Sequence, residues 1–523
     1  TEIKLFGKTF FIENHSAIRK YYKARNFMYL YNKKELDFFY AICHVGQLLF
    51  ETIIFEKDKG QKCKKILYGF YDGNSTYVIR YMPMHVGKYT YRTYAKQKEL
   101  DGLTGEFECY EATDNNHGIV KVKKDVTVGG AFKDEEDAFH FSYLDGTSYH
   151  PFGTTIYAFI YQDEALQLET LETLKESGFN KVRMCVFPKY YRYNEKEPTQ
   201  TPYIKTSEGW SYDEFDPKFF QHLEKRIDDL DNLGIECDLI LFHPYDRWGF
   251  ASMSQTQDDR YLKYILSRLA SFKNIWWALA NEYDLMQAKS NQDWERFARI
   301  IQNYDPYDHL RSIHNCLQFY DHTRPWITHC SIQRVDLFKT SEEVDTWREL
   351  YHKPIVVDEC AYEGNIDYGW GNITGEEMTR RFYEGVLRGG YLSHGETYCH
   401  PQDILWWSHG GRLHGTSPKR IAFLRKIVEE AKGDISCLKR TPQNHAYLWD
   451  VTCGHVKDEQ FFFYFGFMRP SFRTFKLPEG NVYQAEIIDT WDQTITSVAG
   501  EFHDEFTIDM QGKQYILVRF TKK

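Results

Sequence analysis

Two glutamates, Glu282 and Glu359, follow strongly apolar runs, NIWWALA in the first case and PIVV in the second. A carboxylate buried beside such a run is costly unless it has a chemical role or a partner. Two carboxyls facing one another across a pocket can divide the labour of bond cleavage, one holding a proton for a leaving oxygen while the other stays ionised and attacks an anomeric carbon. A separation of about 5 to 5.5 Å predicts retention of configuration and about 6.5 to 9.5 Å predicts inversion. Asn281 directly precedes Glu282. By strand alternation their side chains diverge, so that Asn281 can hold a sugar hydroxyl while Glu282 reaches the glycosidic oxygen. A lone glutamate at a strand end is more often a salt-bridge or helix-capping group, and the expectation rests on the pair.

Both runs belong to a longer series that must position them. From about His150, short apolar segments alternate with amphipathic helices, giving the strand candidates PFGTTIYAF, NKVRMCVFP, IECDLILFHP, NIWWALANE, LRSIHNC, WITHCSIQ, PIVVDECAY and GYLSHGETY. The helices between them place apolar residues three and four apart, as in Phe220, Leu223, Ile227, Leu230 and Leu233, or Leu262, Ile265, Leu269 and Phe272. Eight β/α repeats of this kind predict a closed (β/α)8 TIM barrel, a fold of about 250 residues plus insertions. An open doubly wound sheet would carry a glycine-rich phosphate loop after its first strand. Ala158, Phe159, Ile160 and Tyr161 stand there instead.

In such barrels the chemistry lies past the C-terminal ends of the strands. That rule nominates Arg183 on the second strand, His243, Asp246 and Trp248 after the third, and Asn281 with Glu282 after the fourth. It adds His314 and Asn315 after the fifth, His329 and Gln333 on the sixth, Asp358 and Glu359 on the seventh, and His394 and Glu396 on the eighth. Arg183 is expected either to hydrogen-bond the attacking carboxylate and keep it ionised, or to serve a barrel salt bridge. Trp406 and Trp407 suit a stacking platform for a sugar ring, with only one of the adjacent pair facing the site. Trp370 and Trp248 are further wall candidates, and the three histidines His243, His314 and His394 are candidate donors to sugar hydroxyls. Glu396 and Asp246 are the reserve carboxylates.

The flanking segments read differently. Residues 1–120 show short alternating runs and turns, the pattern of an Ig-like β-sandwich, and residues 121–149 read as linker or a last pair of strands. The barrel is assigned to 150–435, and 436–523 return to short strands as a second small β-sandwich. At 523 residues, several domains are expected. The net charge of -10 offers no basic field for nucleic acid. No run approaches the roughly 18 to 20 apolar residues of a membrane span. The 11 cysteines form no CxxC pair; Cys185, Cys237, Cys330 and Cys360 read as buried hydrophobes, which favours a reducing, cytoplasmic setting, although a chain beginning with Thr leaves a processed leader open. No cofactor or metal is expected, and a homo-oligomer stays open. An aromatic content of 17% suits flat ligands such as sugars as well as β-rich cores.

Asn-Glu closing the fourth strand and Glu closing the seventh resemble the large clan of retaining (β/α)8 glycosidases that includes cellulases and β-galactosidases. The segments GFYDGNSTYVIRYMPMHVGKYTYRT, YHPFGTTIYAF, LILFHPYDRWGF, WWALANEYD and VVDECAYEG are similar to bacterial proteins with an Ig-like N-terminal domain, a barrel and a small C-terminal domain. Those domains carry the unknown-function labels 5060, 4038 and 5605, and relatives of the barrel include enzymes that resemble apiosidases. The resemblance spans essentially the whole chain. It implies a glycoside hydrolase acting on a carbohydrate, with Glu282 as acid/base and Glu359 as nucleophile. Two other classes compete. A metal-dependent barrel hydrolase needs closely spaced imidazoles on an early strand, and the first strand offers none. The presence of both carboxylates argues against the other alternative, a non-catalytic carbohydrate-binding barrel, which stays open.

Overall fold

The structure is a computed structural model that describes residues 2–5, 8–12, 26–31, 51–58, 61–112, 116–126, 134–207, 209–334, 336, 338–402 and 405–523, with side chains from Lys65 onward. Its centre is a ring of eight parallel strands: β1 (Phe152–Thr155), β2 (Lys181–Cys185), β3 (Glu236–Phe242), β4 (Ile275–Ala280), β5 (Arg311–Ser312), β6 (Cys330–Gln333), β7 (Ile355–Glu359) and β8 (Tyr391–His394). Each pairs with its sequence neighbours, β1 pairs with β8, and the ring closes between β5 and β6 through a single parallel bridge, His314 to Ser331. The Thr328 N–H donates to the Arg311 carbonyl at 2.9 Å just below that bridge. The predicted TIM barrel flanked by β domains is the observed fold.

Seven longer helices cover the ring: α1 (Glu164–Glu176), α2 (Pro217–Asn232), α3 (Gln255–Leu269), α4 (Asn291–Tyr304), α5 (Val344–Tyr351), α6 (Gly375–Leu387) and α7 (Ser417–Glu429). Their starts are written in the sequence. Pro217 opens α2 behind the capping Asp216, and Ser254 with Gln257 and Ser290 with Asp293 form reciprocal capping boxes on α3 and α4. The apolar stripe of α2 (Phe220, Leu223, Ile227, Leu230) is buried against the sheet.

One crossover departs from the eightfold repeat. Between β5 and β6 the described residues form no helix. The Asp284 carboxylate accepts from the N–H groups of Cys316, Leu317 and Gln318 at 2.6, 2.7 and 2.9 Å, and Asp321 caps the turn at Thr323. Asp321 and Pro325 interrupt any helical run there, and side chains satisfy the backbone instead.

Inside the ring the side chains lie in layers. At the N-terminal end Trp276, Leu310, Val356 and Tyr391 pack against Val120, Val122, Phe141 and Tyr149. These last four belong to a three-stranded antiparallel sheet (Val120–Val122, Phe141–Tyr143, Ser148–Tyr149) that plugs this end. Above the plug, branched apolar residues usually fill a barrel. Here the layer is ionic. Lys181 Nζ lies 2.7 Å from both Asp238 and Asp358, and Arg183 Nε lies 3.7 Å from Asp238. Ser331 and Ser393 donate to Asp358 at 2.5 and 2.9 Å. Full burial of these charges is tolerable because each has an opposite partner at contact distance.

The flanking regions are antiparallel. The N-terminal part holds a five-stranded sheet and a four-stranded sheet. It is tied to the barrel by Arg80 and Arg268, which both contact Glu224 of α2, and by an ion pair from Arg268 to Asp72 at 2.7 Å. The C-terminal part is a six-stranded sheet and a two-stranded ribbon around its own core, including Phe463, Phe475, Val518 and Phe520. It docks on α6 through the stacked rings of Tyr383 and Tyr464, 5.0 Å apart. Cys185, Cys237, Cys330 and Cys360 are buried and unpaired. No described helix is long and apolar enough to cross a membrane.

Candidate active site

Glu359 is the last residue of β7, and a bulge aims it. Ile332 of β6 pairs with Val357 while the next residue, Gln333, pairs with Glu359, so Asp358 is the extra residue. Strand alternation is broken there, and consecutive residues both face the barrel interior. Asp358 joins the ionic layer; Glu359 rises above it, accepting a hydrogen bond from the Tyr157 hydroxyl and lying 3.5 Å from Arg183 Nη1 and 3.9 Å from His314 Nε2.

Glu282 is aimed by a different device. Its backbone sits in the left-handed region (φ 52°, ψ 54°), where a residue with a Cβ is strained. The Tyr283 N–H donates to the His314 carbonyl and the Asn281 N–H to the Phe242 carbonyl, both at 2.9 Å, which pins the turn between β3 and β5. The turn folds Glu282 back onto Asn281, whose Nδ2 donates to Glu282 Oε2 at 3.1 Å. The expected divergence of these two side chains therefore does not occur, because strand geometry ends at Ala280.

Asn281 connects the two carboxyls. Its Oδ1 accepts from Arg183 Nη1 at 2.7 Å and faces the Tyr157 hydroxyl at 3.0 Å. Tyr157 has one proton, so it donates either to Asn281 or to Glu359 at any moment. Glu282 and Glu359 keep 5% and 6% exposure, enough to meet solvent or ligand while most of each is desolvated. Burial, and then the charge of Glu282, push the Glu359 carboxyl up to about 7, against the opposing pull of Arg183, Lys189 and Tyr157. The cation effect expected of Arg183 is thus present and outweighed.

Aromatic rings wall this pair. Trp407 meets Tyr157, Tyr191, Tyr362 and Trp370 at centroid distances of 5.8, 5.1, 5.8 and 5.2 Å. Its neighbour Trp406 points the other way, its indole N–H donating to Thr154 Oγ1 at 2.8 Å inside the barrel wall. Of the adjacent pair, Trp407 belongs to the pocket. Tyr245, after β3, lies against Glu282, and burial followed by that charge raises its pKa.

The other nominated residues lie farther from the pair or are already engaged. His314 is fully buried, with neither ring nitrogen hydrogen-bonded, and burial holds it neutral. His243 has Nε2 3.1 Å from the Phe187 carbonyl, and burial lowers it to about 3. Asn315 bonds to the Gln333 backbone in both directions, at 3.1 and 3.2 Å. His394 stacks on Phe179 at 4.9 Å, and burial lowers it to about 4. Glu396 accepts from the backbone N–H groups of His414 and Gly415, and burial raises it to about 8. Asp246 caps its own loop by accepting from the N–H groups of Trp248 and Ala251 at 2.8 and 2.7 Å, and the Trp248 indole donates to Glu197 at 3.0 Å. His329 precedes β6 and packs on Trp276 and Phe141 at the plugged end. Among the described residues no group of three or more His, Cys, Asp or Glu is arranged to hold a metal ion.

Four residues that the sequence does not single out sit against the pair: Tyr157, Lys189, Tyr245 and Tyr362. Tyr157 follows the first strand and Lys189 the second, so the strand-end rule applied without a preference for acids and histidines would have found both.

A parallel (β/α)8 barrel with a linked pair of carboxyls at the ends of β4 and β7 defines the class. The family follows from comparison: residues 137–447 match the family described as apiosidase-like, catalytic domain, and the chain belongs to it. Residues 52–96 and 449–521 match two domains of unknown function, DUF5060 and DUF5605. A candidate glycoside hydrolase from Bacteroides vulgatus ATCC 8482 is 37% identical, with 95% of this chain and 98% of that one covered and a TM-score of 0.84. A glycoside hydrolase family 5 structure from the same organism shares the fold at 14% identity, covering 78% of this chain and 93% of that one, with a TM-score of 0.57. No curated protein matches the chain significantly.

Proposed function

We propose that this chain is a retaining glycoside hydrolase that cleaves an O-glycosidic bond of a plant-type or dietary oligosaccharide or glycoside. The observation that carries the reading is the continuous contact from Glu282 through Asn281, Tyr157 and Arg183 to Glu359 at the open end of the barrel. In the first step Glu359 attacks the anomeric carbon and the glycosidic bond breaks as Glu282 gives its proton to the leaving oxygen. In the second, Glu282 takes a proton from water, the water oxygen bonds to the anomeric carbon, and Glu359 departs as a carboxylate. Membership of the apiosidase-like family and the glycoside hydrolase relatives support the class of reaction.

The test is a cleavage screen over aryl glycosides, apiosides among them, and plant oligosaccharides, with the anomer of the first-formed product read by NMR. Retained configuration is expected. Inversion would replace the double displacement by a single one, and a panel without product would leave a sugar-binding barrel as the better reading.

The pH dependence follows from the state Glu359 must hold. A carboxyl attacks only when it is ionised. Burial raises the Glu359 carboxyl to about 7, so kcat/KM is expected to rise as pH rises through about 7. A rate already at its plateau well below that region would contradict this assignment.

A further inference from the structure

Lys189, in the segment after β2, is 3% exposed. Its ammonium lies 3.3 Å from the centroid of Tyr157, 4.3 Å from Tyr245, 5.2 Å from Tyr191 and 5.7 Å from Trp407. Among the described residues Nζ makes no hydrogen bond and keeps some solvent contact, whereas the Trp407 indole N–H beside it is buried without a partner. Three N–H donors held by ring faces alone are a poor solution for a folding chain. Cation–π attraction offsets only part of the cost of desolvating an ammonium. The rings that hold it are the rings against the carboxyl pair, since Tyr157 bonds Glu359 and Tyr245 lies against Glu282.

Charge balance narrows the kind of acceptor those donors suit. In the layer below, Lys181 and Arg183 are matched by Asp238 and Asp358. His314 is held neutral by burial. Above, the proposed reaction needs one carboxyl ionised and one protonated, so the reacting pair carries a single negative charge, and Lys189 faces it. On that count the reacting pocket is balanced before any ligand arrives. A sugar hydroxyl would give the ammonium an acceptor and leave the balance intact, whereas a carboxylate on the sugar would bring an unmatched charge into a desolvated site.

We propose that Lys189 is a substrate-contacting, specificity-determining residue that donates to hydroxyl oxygens of a neutral glycosyl unit, and that the pocket rejects glycosyl units bearing a carboxylate. The inference rests on the glycosidase reading for the word glycosyl, and binding measurements separate the two. Glu359→Gln protein, which keeps Glu282 and Lys189 but lacks the attacking carboxylate, is titrated with 4-nitrophenyl glycosides of neutral sugars and with the matching 4-nitrophenyl uronides.

The expected result is that neutral glycosides bind, that uronides bind at least about tenfold more weakly, and that adding Lys189→Met weakens the neutral glycosides by about tenfold or more. The thermal midpoint of Lys189→Met is expected to stay level or rise, because an unbonded buried ammonium has been replaced by an apolar chain of similar length. A merely structural lysine would give the opposite pattern, a lower midpoint with affinity intact. Lys189→Gln serves as a second variant that keeps a donor without the charge, and it should retain part of the affinity. Tighter binding of uronides than of neutral glycosides, unchanged affinity in Lys189→Met, or no binding of any neutral glycoside would each overturn the proposal. If neutral glycosides bind through Lys189 and the unsubstituted protein does not cleave them, the hydrolase reading fails while this inference stands.

Discussion

Glu359→Gln is expected to lower kcat on any substrate the protein cleaves by roughly 10⁴-fold or more, because the carboxylate proposed to form the glycosyl ester is gone. Glutamine keeps the volume of the side chain and a carbonyl that can still accept from Tyr157. It also removes a carboxyl that burial disfavours in its charged form. The variant should therefore fold and unfold normally, so that lost rate cannot be charged to lost structure. The sharper check is Glu359→Ala with azide. If Glu359 is the nucleophile, azide takes its place and enters by a single displacement, so the recovered product is a glycosyl azide of inverted configuration. Rates within about tenfold of the unsubstituted protein would remove Glu359 from the reaction, and Glu396 or Asp246 would need to be tried in its place.

The second large effect concerns Glu282. With a poor leaving group, Glu282→Ala is expected to slow kcat/KM by about 10² to 10⁴-fold, the usual worth of a positioned proton donor. With 2,4-dinitrophenyl glycosides, whose leaving group needs no proton, the first step should be nearly unaffected and the glycosyl-enzyme should accumulate. Azide should then speed turnover and give a glycosyl azide of retained configuration, since it enters the second displacement. Equal losses for good and poor leaving groups would mean that Glu282 does something other than protonate. The variant also isolates the backbone effect: alanine at φ 52° is as strained as glutamate, so a Glu282→Gly comparison, strain-free there, should gain stability without regaining rate.

Strand positions and both carboxyls were legible because they depend on local pattern. Apolar runs such as NIWWALA and PIVV mark buried parallel strands, and the glutamate two residues past each run falls at the strand's C-terminal end. What was not legible depends on departures from periodicity. The bulge at Asp358 is decided by its pairing with β6, and nothing in VVDEC distinguishes a straight strand end from a bulged one. The left-handed turn at Glu282 is likewise invisible, since glutamate is a residue no turn rule favours there; the structure over-determines it through hydrogen bonds from β3 and β5. The same failure misjudged Asn281, which was expected free and is held. Trp406 and Trp407 show the reverse case, where alternation alone said that only one would face the site and the contacts of Thr154 and Tyr157 decide which. Lys189 was overlooked for a chemical reason: a lysine after a strand reads as a solvated charge, and only the rings brought to it from three separate segments reveal otherwise.

The joint between β5 and β6 gives the hoop of strands a clasp. Seven seams are laced by backbone ladders, whereas this one has a single backbone bridge and a neighbouring amide, with the side chains of Asn315 and Thr328 completing the fastening. Local opening of such a ring is expected first where its backbone lacing is sparsest. His314 forms half of the clasp and also rests its imidazole beside Glu359. Should this joint open, the mouth would widen on the side of His314 and the surroundings of the Glu359 carboxyl would shift in the same movement.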